Sequence, residues 1–295
     1  MPALLLAATV SVNLHGQAPP SAELWRLSAA SLAQPAGLER GAAGVFWNPA
    51  GIDFEHRLMA GLELTQTPDI IGVAGFVAGL HYRLRDGLAA TAVFGRADID
   101  DITRTTTSAT SDLGTIPVYE QLVGAGLVWR VGSAQAGLMA RAHDARFDAI
   151  RESGLTLDAG VQATVHQRLT VGAATHFFPL DLVARELTDY YLGVDYWVTT
   201  RRLFGQPADF HVRYGASHRE RAGTEHGAGL GVRYDERLGA DVSFVREQGY
   251  VDAAWRPVIG LSLQIGRYLV RAGRGSGLNG IGATYRIGLE SRIIE

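Results

Sequence analysis

Between Leu155 and Val165 the side chains alternate without a break. Leu155, Leu157, Ala159, Val161, Ala163 and Val165 take one parity, and Thr156, Asp158, Gly160, Gln162 and Thr164 take the other. Successive side chains on a strand point to opposite faces, so one face is apolar and the other polar. The pattern recurs from about residue 55 to the end of the chain. A soluble β-sandwich can sustain it for a few strands. A run this long, in units able to cross a membrane, predicts an all-β transmembrane antiparallel barrel.

Fourteen strands are counted (twelve is the alternative), at about 56–66, 70–84, 87–97, 117–131, 133–145, 153–166, 168–178, 188–200, 207–218, 224–235, 237–247, 251–266, 268–274 and 279–290. The outward apolar face reads, for example, Ala74, Phe76, Ala78, Leu80 and Tyr82, or Val123, Ala125, Leu127, Trp129 and Val131. Val73, Val77 and Val93 break the rule by standing on the polar face, which predicts something apolar packed against them from inside. Tight connections at Leu84–Asp86, Val131–Ser133, His166–Arg168, Arg201–Gln206, Asp235–Arg237 and Gly266–Arg267 alternate with longer ones at 98–116, 146–152, 179–187, 219–223, 247–250 and 275–278. Short turns at one mouth and longer loops at the other are the outer-membrane pattern, with both termini on the periplasmic side. Tyr82, Trp129, Tyr196, Tyr234 and Tyr268 cluster beside the tight turns, as an interfacial girdle would.

Composition fits this reading and excludes others. Apolar residues make up 47 % of the chain and charged residues 19 %, and no run of about 18 uncharged apolar residues exists to make a membrane helix. The 36 glycines often fall at every second strand position, as at Gly227, Gly229 and Gly231, where small residues let a barrel wall curve and pack. A net charge of −3 gives nucleic acid no foothold. There is no Cys, so disulfide and thiolate chemistry are absent.

Ala3 to Val12 is an apolar core, followed by the small-residue site Gly16-Gln17-Ala18, so residues 1–18 read as a signal peptide. No Lys or Arg precedes Arg26, so either the signal is atypical or the true start lies upstream. Residues 19–54 do not alternate. They read as a short helix and loop ahead of the barrel at 55–295, and they carry Gly44-Val45-Phe46-Trp47-Asn48-Pro49-Ala50-Gly51-Ile52. Pro49 fixes its φ and restrains Asn48 to extended geometry. The Asn48 side chain can bond local backbone, and Ala50 and Gly51 allow a close approach to a wall.

An aromatic-Asn-Pro-Ala-Gly turn after a small-residue stretch and before barrel strands resembles the FadL-like outer-membrane proteins, most closely the PorV/PorQ branch. The resemblance implies a fourteen-stranded barrel with Phe46, Trp47, Asn48, Pro49, Ala50 and Gly51 forming part of an inner hatch. It also implies either passive transport of small hydrophobic compounds or a non-transporting barrel that serves a secretion-system protein. Its surroundings would be membrane lipid and lipopolysaccharide. The chain departs from the family in lacking an acidic pair before the motif, where it reads Leu38-Glu39-Arg40-Gly41, and in ending without a terminal aromatic.

The polar face carries charges of both signs, among them Glu63, His81, Arg141, His143, Asp158, His176, Asp195, His211, Arg271 and Arg286. Asp209, Arg213, Arg233 and Asp241 lie on three consecutive strands and are expected to form one lumen network, since buried charges need partners. Enzyme signals are poor. His211 with Asp209 and Ser217 lacks a nucleophile motif, the histidines lack metal-ligand spacing, and Gly273-Arg274-Gly275-Ser276-Gly277 precedes a strand, not the helix of a phosphate loop. The sequence thus calls for no catalysis, metal or cofactor.

Overall fold

The computed structural model describes residues 22–100, 102–104, 114–180, 188–219, 223–248, 253–277 and 282–294. Fourteen strands follow one short helix: α1 (Ala22–Ala29), then β1 (Leu58–Gln66), β2 (Val73–Arg85), β3 (Leu88–Ile99), β4 (Val118–Val131), β5 (Ala134–Phe147), β6 (Ile150–Val165), β7 (Leu169–Pro179), β8 (Asp189–Leu203), β9 (Gln206–Arg219), β10 (Gly223–Tyr234), β11 (Leu238–Gln248), β12 (Ala253–Ile265), β13 (Tyr268–Ser276) and β14 (Ala283–Ile294). Each pairs antiparallel with its neighbours in sequence, and β1 closes on β14. The barrel is therefore a fourteen-stranded one, without free sheet edges. The expected strands are all present, with their ends moved by a few residues.

One connection differs from its sequence reading. The expected loop at 146–152 is a two-residue turn, because β5 and β6 stay paired out to Phe147 and Ile150. Asp148 takes φ 55° there, a left-handed geometry that Asp tolerates better than most residues. The long 98–116 connection is drawn together by a Thr103–Thr115 bridge. Asp101, most of the Thr/Ser run, most of 179–187, Ile281 and the expected signal at 1–18 lie outside the described residues.

The wall is inverted relative to a water-soluble protein. Val123, Leu138, Val161, Leu261 and Ile287 are exposed on the outside, while Asp158, Glu120 and Arg141 are buried within. Exposed apolar residues and buried charges are stable together only where the outer solvent is lipid. Beside the tight turns, Trp129, Tyr196 and Tyr268 are exposed outward. A second set near the other mouth, Phe147, Tyr190, Trp255 and Tyr285, was not singled out in the sequence.

The inside is filled by the chain's own residues 24–54. The inner-facing glycines make room for it. A Cβ at Gly273 would meet the Ser31 carbonyl at 2.5 Å, at Gly260 the Ala33 Cβ at 2.5 Å, and at Gly215 the Pro35 Cβ at 2.8 Å. At Gly193 it would meet Leu38 at 2.5 Å, and at Gly137 the Pro49 carbonyl at 2.5 Å; at Gly79 and Gly160 it would overlap the Ala42 carbonyl and Asn48 outright. The segment therefore walks along the inner wall from β13 to β7, crosses to β1 and β2, and returns to β5 and β6. Val73, Val77 and Val93 join one buried cluster with Trp25, Phe46, Trp47 and Ile52, which accounts for their inward apolar side chains.

The outward assignment has a measurable cost attached. Val161→Arg should destabilise the refolded barrel in lipid vesicles by about 2–4 kcal/mol if it sits near the midplane, whereas Phe204→Arg, at a turn tip 98 % exposed, should cost about 0–1 kcal/mol. Denaturant titration into vesicles reads both. The inner face offers no cheap comparison: Thr156 and Gln162 are buried and bonded to His143 and Arg40, so Arg at either position is not the mild change that a water-filled lumen would permit.

Candidate functional site

The Phe46–Gly51 motif sits at the centre of the filled lumen. Asn48 is wholly buried and bridges two parts of the inner segment: Nδ2 donates to the Gly37 carbonyl at 2.5 Å, and Oδ1 accepts from the Ala50 amide at 2.9 Å. Pro49 and Ala50 lie against Gly137, and Gly51 lies on the Glu39 carbonyl where a Cβ would not fit. Phe46 and Trp47 pack edge-on at 4.9 Å, with Trp25 at 5.0 Å from Phe46 and His176 stacked at 5.8 Å from Trp47.

Two ionic anchors hold this segment to the wall. Arg141 on β5 donates Nη2 to the Phe46 carbonyl at 2.6 Å, pairs with Asp158 at 2.6 Å, and sits 4.6 Å over the Phe46 ring. Both members of the pair are fully buried. Arg286 on β14 binds Glu63 at 2.5 Å and Glu39 at 3.2 Å, so the acid just ahead of the motif has a wall partner. Glu290 accepts the Ala42 amide at 2.8 Å. Removing one partner of a buried pair typically costs about 3–5 kcal/mol, so each anchor is a strong constraint on where the segment lies.

Phe177 was not singled out by the sequence reading. It has φ 58° at a register shift between β6 and β7. Such a bulge turns two successive side chains to the same face, so His176 and Phe177 are both buried, and the Phe177 amide donates to Asp158 Oδ1 at 2.8 Å. A bulky residue in left-handed backbone is strained and is held there by its surroundings. Strict alternation, the signal that found the strands, hides this exception.

The four residues expected to form one network only partly do so. Arg213 bonds Asp241 and, through Nε at 2.9 Å, Asp195, which in turn bonds His211 at 2.9 Å. Asp209 accepts from the Thr200 hydroxyl. It stands opposite Arg233 in the β9–β10 register, yet among the described residues neither forms a direct ion pair with the other. The Asp195–Arg213–Asp241 layer divides the β8–β13 side of the lumen into two spaces.

On the long-loop side lies a cavity of about 300 Å³ between Leu27, Leu32 and Pro35 of the inner segment and Gly227, Gly229 and Val245 of the wall, with Ser217, Arg219 and Arg256 also lining it. On the tight-turn side, spaces of about 220 and 660 Å³ share Arg233. Asp53, Glu55 and His56 bring their side-chain atoms within 4.8 Å of one another just before β1. No apolar cleft runs beside Phe46 and Trp47 among the described residues: both are buried, and the open space adjoins residues 27–36 instead.

No family model and no curated protein matches this sequence. Among solved structures it is similar to the outer membrane protein Omp33 of Acinetobacter baumannii, at 9 % identity and a TM-score of 0.47, covering 81 % of this chain and 98 % of that one. A Rh. blastica porin follows at 8 % and 0.41, covering 79 % and 98 %. CdiB of A. baumannii stands at 10 % and 0.43, covering 80 % of this chain and 60 % of that one. Likenesses this distant carry no functional argument, and the fourteen-strand barrel rests on its own pairing.

Asn48→Ala would strip partners from the buried Gly37 carbonyl and Ala50 amide. It should lower stability by about 1–3 kcal/mol while the barrel still shows heat-modifiable migration. A barrel that fails to assemble at all would make the motif a folding element of the wall rather than an internal clasp.

Proposed function

We propose that this chain is a bacterial outer-membrane barrel that passes small hydrophobic or amphipathic compounds, with residues 24–54 as a displaceable hatch. The supporting observation is the long-loop-side cavity. It is large enough for a small molecule, Leu27, Leu32, Ala33 and Val245 give it apolar sides, and Arg213, Ser217, Arg219, Glu225 and Arg256 add polar and charged groups. A pocket with an apolar body and a few polar groups is the usual form of a small-molecule site. The inner segment forms one side of it, so a bound molecule would touch the element that has to move.

In this reading the tight-turn mouth and both termini face the periplasm. The test exploits the Cys-free chain. Leu38→Cys with Gly193→Cys places two thiols where the inner segment meets β8. Vesicles holding the unmodified barrel should take up a hydrophobic fluorescent probe, the oxidised double variant should take up several-fold less, and reduction should restore uptake. On whole cells an impermeant thiol reagent should reach Ala149→Cys and spare Glu236→Cys. If no form takes up the probe, the non-transporting PorV-like adaptor replaces the transporter.

A further inference from the structure

Residues 53–56 join the inner segment to β1, and Phe54 pins them to the wall. Phe54 is 2 % exposed, its carbonyl accepts Arg83 Nη1 at 2.7 Å, and the Arg130 guanidinium lies 4.7 Å over its ring. The Glu55 amide donates to Asp53 Oδ1 at 2.8 Å, which folds the chain back on itself. Asp53, Glu55 and His56 are thereby gathered, and one ligand atom from each lies within 4.8 Å of the others. Two carboxylates and an imidazole meet at the tight-turn mouth, where Leu58 opens β1 opposite Tyr82 near the end of β2.

Carboxylates often gather on exposed loops without a ligand, but here the nitrogens are the unusual part. Both ring nitrogens of His56 are shut off from solvent and have no hydrogen-bond partner among the described residues. Its Nε2 stands 3.7 Å from Asp53 Oδ2. That is too long for a hydrogen bond, yet close to the separation of about 3.4 Å between two ligands on one tetrahedral zinc ion. A second imidazole stands beside this group. His81, on the inner face of β2, is 1 % exposed, and neither of its ring nitrogens has a hydrogen-bond partner among the described residues. Its ring packs at 6.2 Å on Phe54, the residue between Asp53 and Glu55, and it lies within electrostatic reach of Asp53 and His56. Buried imidazoles without partners are costly and call for a group that takes up their lone pairs.

We propose that Asp53, Glu55 and His56 bind a divalent transition-metal ion of the zinc class, with His81 as a fourth donor reached by rotation of its side chain. Imidazole and carboxylate are established donors for such an ion, and imidazole favours it over calcium or magnesium. Two carboxylates match its two charges. The cations beside the loop are turned elsewhere: Arg83 binds the Phe54 carbonyl, Arg130 the Phe54 ring, and Arg57 the Tyr82 hydroxyl. An ion held here would tie the end of the inner segment to β2 and stabilise the folded barrel by mass action. The site needs no passage through the barrel and does not depend on the hatch moving.

Isothermal titration of the full chain, refolded in detergent and stripped of metal with a chelator, tests this with zinc chloride at neutral pH. Saturable binding at one site is expected, weakened by about tenfold or more in Asp53→Asn, in His56→Gln and in His81→Gln. His166→Gln, at an exposed turn on the same mouth, should leave it unchanged. Calcium should not displace the zinc. Absence of saturable binding, equal binding in all variants, or displacement by an equal concentration of calcium overturns the proposal, and unchanged affinity in His81→Gln alone overturns the role of the fourth donor. Should the variants not fold, diethyl pyrocarbonate modification of the unaltered chain decides. Zinc should slow modification of His56 but not of His166, and equal rates with and without it would exclude the site.

Discussion

The structure depends on a wall without side chains where the inner segment passes. A fourteen-stranded barrel lined by ordinary residues has room for side chains or for a folded segment lying on the wall, and glycine decides between them. Gly79, Gly137, Gly160, Gly193, Gly215, Gly260 and Gly273 stand on seven different strands, and at each a Cβ would run into residues 31–49. Glycine within a strand is costly, at roughly 0.5–1 kcal/mol relative to Ala. Repeated around the barrel, that cost is offset by burying Trp25, Phe46 and Trp47 against the wall, where aromatic burial contributes several kcal/mol.

Electrostatics then fixes which part of the segment sits where. Arg141 and Arg286 enter from opposite parts of the wall and each binds both a wall acid and the inner segment. A charge pair buried this deeply is weak evidence for net stability, because desolvation opposes the attraction, but it penalises any other placement. On the remaining side, β8 to β13, the Arg213 layer separates two spaces. Gly227 and Gly229 of β10 line the long-loop-side cavity, whereas Gly215 of β9 lies against Pro35. The three open spaces described above lie chiefly on this side, where residues 27–36 line only the long-loop one.

The alternation of residues 155–165 and its repeats made the wall legible strand by strand, because lipid outside and polar contacts inside impose a period of two on every spanning segment. The inward valines also signalled an apolar occupant. Three things were not legible. Phe177 breaks the alternation at a bulge. The 146–152 stretch, with Arg146, Asp148, Arg151 and Glu152, reads as a loop, although strand pairing continues through it to Phe147 and Ile150. Charge partners across the lumen depend on barrel stagger, so Asp195 rather than Asp209 meets Arg213. The motif at Asn48 marked the place of the clasp, but its partner, the Gly37 carbonyl eleven residues earlier, follows only from the path of the segment.

Hydrogen–deuterium exchange of the detergent-solubilised barrel tests the central claim most directly. Backbone amides of Leu38, Gly41, Val45, Phe46, Trp47, Ala50 and Gly51 are all bonded inside the lumen. Peptides covering residues 36–52 should therefore exchange as slowly as the strands that enclose them. Complete exchange of those peptides within seconds, beside protected strands, would show an empty barrel with a free tail and contradict the account.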